Sequence, residues 1–201
     1  MEAASLAHGH EHAHPPAANI SSRAPAPVLG MLLFIISEVM VFGAFFTAYF
    51  FIRIAEGEGW PAPGTKLPVE VAGVNTLILV SSSFTMHWAQ HAIQKGNRFA
   101  LKAAIYTTFL LGCTFLFIQI NEYANIGFAP QDGARETIFY SLTGLHGAHV
   151  LIGLTLLLTV VVRSFRGHYS PESHRGVEVP GIYWHFVDIM WIVVYTTVYV
   201  L

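Results

Sequence analysis

Five stretches of this chain, at about 28–53, 70–93, 99–121, 137–163 and 179–201, are apolar over the ~20 residues that an α-helix needs to cross ~30 Å of hydrocarbon. A segment immersed in lipid must satisfy its own backbone hydrogen bonds, so the reading is an all-α integral membrane bundle of five transmembrane helices. Charge supports it: 11% of the residues are Asp, Glu, Lys or Arg, where a soluble domain carries about 25%. A formal net charge of -2 provides no basic face for nucleic acid. The connections carry turn chemistry, with Gly57, Gly59, Pro61, Pro63 and Gly64 in the first and Gly96 and Asn97 in the second. Pro130, Asp132 and Gly133 mark the third, and Gly167, Pro171 and Gly176 the fourth.

Five crossings put the termini on opposite sides. Arg23, Lys95, Arg98, Lys102, Arg163, Arg166 and Arg175 fall on the N-terminal side, and only Arg53, Lys66 and Arg135 on the other. The positive-inside bias therefore predicts a cytoplasmic N-terminus and a C-terminus on the opposite side. Residues 1–27 hold His8, His10, His12 and His14 in a Pro/Ala/Ser-rich setting without the apolar core of a signal peptide. They read as a disordered tail, with residues 28–201 as the transmembrane domain.

Ionisable groups inside such spans are costly and mark sites. Glu38 lies about ten residues into the first span, between Ile36-Ser37 and Val39-Met40. In the fifth, His185 and Asp188 stand at i, i+3 on one helix face, where they can bond each other or a shared partner. In the fourth, His146 and His149 sit among Gly144, Gly147, Ala148 and Gly153, small residues that let helices approach closely in lipid. Helical rise places Glu38, His149 and Asp188 at roughly 12–18 Å depth, so the five groups are expected to form a polar cluster near mid-membrane. Two roles stay open for it: mutual hydrogen bonding that holds the helices, or dealings with protons, lipid or another subunit. Glu122, at the outer end of the third span, reads as a solvated or hydrogen-bonded cap.

His87 and His91, at i and i+4, have the spacing of a two-histidine metal face. Neither the matching pair of a bis-histidine haem nor the Glu-x-x-His of a di-iron site accompanies them. The sole cysteine, Cys113, allows no intrachain disulfide, and no dinucleotide fingerprint or phosphate loop is present.

Several strings occur in a telling order: Ser37-Glu38, Trp60-Pro61, Asn75-Thr76, Ser81-Ser82-Ser83, Trp88-Ala89, Glu122-Tyr123, then Thr143-Gly144-Leu145-His146-Gly147-Ala148-His149-Val150 and Tyr183-Trp184-His185-Phe186-Val187-Asp188-Ile189-Met190-Trp191. From about residue 30 onward the chain closely resembles subunit III of haem-copper terminal oxidases, in particular cytochrome c oxidase, in a five-helix bacterial form. The resemblance implies a non-catalytic subunit of a proton-pumping complex in the bacterial plasma membrane. Haem and copper would lie in the partner catalytic subunit I, with subunit II and other respiratory subunits as further partners. It implies bound phospholipid, with Arg163, His149 and Trp60 as lipid-binding residues, and no redox centre or metal on this chain. Glu38 matches the family's intramembrane glutamate; His146, His149, His185 and Asp188 fall on its other polar positions. The His-rich start resembles some quinol-oxidase third subunits, and a free-standing histidine-rich metalloenzyme using His87, His91, His146 and His149 is the rival from another class.

Overall fold

The computed structural model describes residues 25–57, 67–171 and 173–201. Within them the chain forms α1 (Ala26–Ala55), α2 (Val69–Gln94), α3 (Arg98–Asn125), α4 (Ala134–Phe165) and α5 (Arg175–Tyr195), the last continuing into a wider π-type turn over Thr196–Val200. All five are long and apolar enough to cross a membrane. The first four expected spans lie within these helices, the fifth ends one residue beyond the π-type turn, and most helices run a few residues further. Terminal turns carrying polar side chains can extend into the headgroup region, where water meets them.

The tight connections have local causes. After α2, Gly96 adopts φ 71°, its amide bonds to Ile93 and that of Asn97 to Ala92, which closes the open carbonyls of the helix end. Asn97 then starts α3 by accepting from the Ala100 amide at 3.0 Å. Gly167 repeats the device after α4 at φ 75°, with its amide on Ser164 and that of His168 on Arg163. Pro180 lies inside α5 and has no amide for the Gly176 carbonyl; the Tyr169 hydroxyl approaches that carbonyl at 3.5 Å.

The bundle is centred on α5. Of its most apolar stretch 56% is buried, against 6% for α1, which packs mainly on α4 and α5. Trp184 is fully buried and wedges between two helices at their glycines: a Cβ on Gly112 of α3 would stand 2.6 Å from its ring and one on Gly153 of α4 2.8 Å. Its indole N–H donates to Ser82 of α2 at 2.9 Å, and that of Trp191 to Thr76 at 2.8 Å. These indoles tie α5 to α2 by contacts that lipid cannot supply.

Candidate functional site

The polar residues of the spans separate into distinct groups that share no hydrogen bond, because helix rotation sends them to different faces. Glu38 of α1 meets His149 of α4, Oε2 to Nε2 at 2.9 Å. The other ring nitrogen of His149 is 2.7 Å from the Leu145 carbonyl. A carbonyl only accepts, so Nδ1 carries hydrogen and the Glu38–His149 contact holds a single further proton, on the carboxyl or on the imidazole. Phe42 packs its ring 5.1 Å from that of His149, and the Tyr183 hydroxyl donates to the His149 carbonyl at 3.3 Å. Side-chain exposure is 6% for His149 and 19% for Glu38, so the pair fastens the outermost helix at mid-span. At the far end of α1, Tyr49 donates to the Thr197 carbonyl at 2.9 Å, and Glu56 pairs with Arg135 at 2.5 Å.

The second group lies between α2 and α5. Ser83 donates to Asp188 and its oxygen is 2.9 Å from His185 Nδ1, so the two ionisable residues share a serine of the neighbouring helix. Asp188 is 2% exposed, and its second carboxyl oxygen has no hydrogen-bond partner among the described residues. His146 is fully buried, neither ring nitrogen has a hydrogen-bond partner among the described residues, and it packs against Trp191 at 4.8 Å and edge-on to Phe115 at 5.7 Å.

Glu122 is more enclosed than its place near the end of α3 suggested, at 5% exposure, and accepts from the Tyr199 hydroxyl at 2.6 Å. The turn after α5 folds over it. His87 and His91 are exposed on α2, and among the described residues no three His, Cys, Asp or Glu side chains gather as a metal site would require. Arg163 borders a cavity of about 330 Å³ with His168, Tyr169, Ser173 and Arg175. Its guanidinium lies 5.7 Å from the centre of the Tyr169 ring. Burial pushes the Tyr169 phenol up, with Arg163 acting against that. Trp60 and the histidines of residues 1–24 lie outside the described residues.

Residues 24–201 match the family described as Cytochrome c oxidase subunit III. The chain is 41% identical over 197 residues to Cytochrome c oxidase subunit 3 of Thermostichus vulcanus, covering 98% of this chain and 93% of that protein. It is 42% identical over 176 residues to the protein of the same name from Papio hamadryas and 39% identical over 176 residues to that from Oryctolagus cuniculus. Both mammalian alignments cover 85% of this chain and 67% of the relative.

Proposed function

Because the chain belongs to the cytochrome c oxidase subunit III family, we propose that it is the non-catalytic third subunit of a proton-pumping haem-copper oxidase in a bacterial plasma membrane, with its N-terminus cytoplasmic. Haem and copper reside in the catalytic subunit it accompanies, where cytochrome c is oxidised and dioxygen reduced to water. The observation that carries this reading is the match over nearly the whole chain. The polar interior fits it, since its hydrogen bonds run between helices: Glu38 to His149, Ser83 to His185 and Asp188, Trp184 to Ser82. Such contacts hold a bundle in shape so that it can brace a neighbour.

Lipid is the second part of the role. Arg163, His168 and Arg175 line one cavity at the end of the bundle where the positive-inside bias expects the cytoplasm, and a guanidinium there suits an anionic phospholipid headgroup. Glu38, with His149, stands deeper in the same membrane and supports proton uptake and the durability of the catalytic subunit.

Affinity purification from native membranes, followed by a haem spectrum and mass-spectrometric identification of partners, tests the assignment. A stoichiometric haem-bearing partner is expected; recovery of the chain quantitatively free of any haem protein would end this reading. Glu38→Ala is expected to leave haem content intact while shortening the number of turnovers before activity decays or slowing proton uptake.

A further inference from the structure

The helix ends are not treated alike. Gly96 closes the end of α2 and Gly167 that of α4, each through amide bonds back to the last turn. After α3, Gly127 also takes a positive φ of 85°, but among the described residues neither its amide nor that of Ile126 makes such a bond, and the last turn holds no basic side chain. The negative end of a 28-residue helix is thus left without a positive group of its own.

Glu122 sits about one turn before that end. One of its carboxyl oxygens accepts from the Tyr199 hydroxyl; the other, Oε2, is buried with no hydrogen-bond partner among the described residues. Unlike Asp188, Glu122 itself forms a wall of a cavity, one of about 160 Å³ between the end of α3 and the first turn of α2, shared with Pro68, Val71, Asn121, Asn125 and Ile126. Asn125 turns its carboxamide nitrogen onto the Asn121 carbonyl at 2.7 Å; a carbonyl only accepts, so the oxygen of that carboxamide is left to accept from elsewhere. The Asn121 carboxamide oxygen, 3.4 Å from the same nitrogen, is weakly held. Glu122, Asn121 and Asn125 thus bring three side-chain oxygens to this cavity, one of them a carboxylate's, while Pro68, Val71 and Ile126 make the rest of the wall apolar.

Charge and shape select the ligand. A carboxylate oxygen without a partner, beside the negative end of a helix, calls for a positively charged donor. Calcium or magnesium takes about six oxygens or more, twice what these side chains offer. A primary ammonium carries three N–H donors, one for each oxygen, and its carbon stem can lie on the apolar wall. We propose that this cavity binds a primary ammonium group on a short alkyl stem, with Glu122 as its counter-ion. An ethanolamine lipid headgroup and a soluble alkylamine present the same group, and the end of α3, across the membrane from the Arg163 cavity at the end of α4, is within reach of both. The site goes beyond the oxidase reading and does not depend on it.

The test uses the full chain purified from native membranes with whatever accompanies it. One portion is stripped of lipid in mild detergent and offered equal amounts of phosphatidylethanolamine, phosphatidylcholine and phosphatidylglycerol, and the lipids retained are counted by native mass spectrometry. A second portion, without added lipid, is dialysed to equilibrium against radiolabelled ethanolamine. Glu122→Gln keeps the oxygen that Tyr199 bonds and removes the charge; it is expected to weaken ammonium binding about tenfold or more, the effect of one charge-assisted hydrogen bond, and to leave the other two lipids unchanged. Selective loss of phosphatidylethanolamine identifies the headgroup as the source, and loss of saturable ethanolamine binding identifies a soluble amine; either result supports the site. Should Glu122→Gln fail to assemble, Val71→Trp, which fills the cavity from a half-exposed position without touching the carboxyl, decides in its place by the same criteria. Equal binding by the unaltered chain and the variant would overturn the proposal. So would phosphatidylcholine, which has no N–H, being lost alongside phosphatidylethanolamine, or ethanolamine binding that appears only in Lys66→Gln, which would give the carboxylate to the chain's own lysine. Absence of a haem protein from the preparation bears on the oxidase reading and leaves these criteria as they stand.

Discussion

The Glu38–His149 pair yields the sharpest quantitative expectation. Of the residues of α1, only Phe42 and Tyr49 are buried, so this helix depends on few contacts, and the 2.9 Å bond at mid-span is one of them. Side-chain hydrogen bonds between membrane helices average about 0.6 kcal/mol and reach about 1.7 in double-mutant cycles. The low exposure of both partners, 6% and 19%, and the proton held between them put this pair in the upper part of that range, about 1–1.7 kcal/mol of coupling. Single changes should cost more than the coupling, because Glu38→Ala strands His149 Nε2 and His149→Leu strands the carboxyl, and a buried group left unpaired costs about 1–3 kcal/mol. The measurement is a double-mutant cycle of Glu38→Ala and His149→Leu in mixed micelles, unfolded by dodecyl sulfate and followed by tryptophan fluorescence. A coupling below about 0.3 kcal/mol, within the error of additive sites, would refute the claim that this bond fastens α1.

Other consequences follow from the same geometry. Gly112→Ala and Gly153→Ala each drive a methyl against the Trp184 ring, at 2.6 and 2.8 Å, and should each destabilise the bundle by about 1–3 kcal/mol in the same titration. His146→Phe should be tolerated within about 1 kcal/mol, since no hydrogen bond is lost from a ring already packed on Trp191 and Phe115; a larger loss would mean that the imidazole has a polar task. Arg163→Gln with Arg175→Gln should reduce retention of anionic phospholipid in native mass spectrometry, and retention equal to that of the unaltered chain would remove the headgroup role of this cavity. Glu56→Gln should cost less than about 1 kcal/mol, because its bond to Arg135 is partly solvated.

The helices were legible in the sequence because twenty apolar residues in a row have few alternatives in lipid. Their ends were less so: α3 runs on to Asn125, past the apolar window that stops near 121, since polar residues at the interface neither extend nor break the apolar signal. The ionisable residues stood out for the same reason as the spans, since a carboxylate or imidazole in an apolar run is conspicuous. Their partners did not. Depth alone suggested one cluster of Glu38, His146, His149, His185 and Asp188, whereas the helices turn Glu38 and His149 toward the α1–α4 contact, Asp188 and His185 toward Ser83, and His146 into an aromatic slot. Ser83 was visible only as one serine among three, and its role depends on the side of α2 that meets α5.

Hydrophobic run length and the spacing of polar side chains set the number of crossings, their turns and the residues that lipid would not tolerate, because these costs are local and additive along the chain. Which of those residues touch, and that Glu122 is covered by Tyr199, follow from helix rotation and packing. A change of one residue in register turns a side chain by about 100°. That choice is made by non-local contacts, such as Trp184 seated against Gly112 and Gly153, and only the assembled bundle contains them.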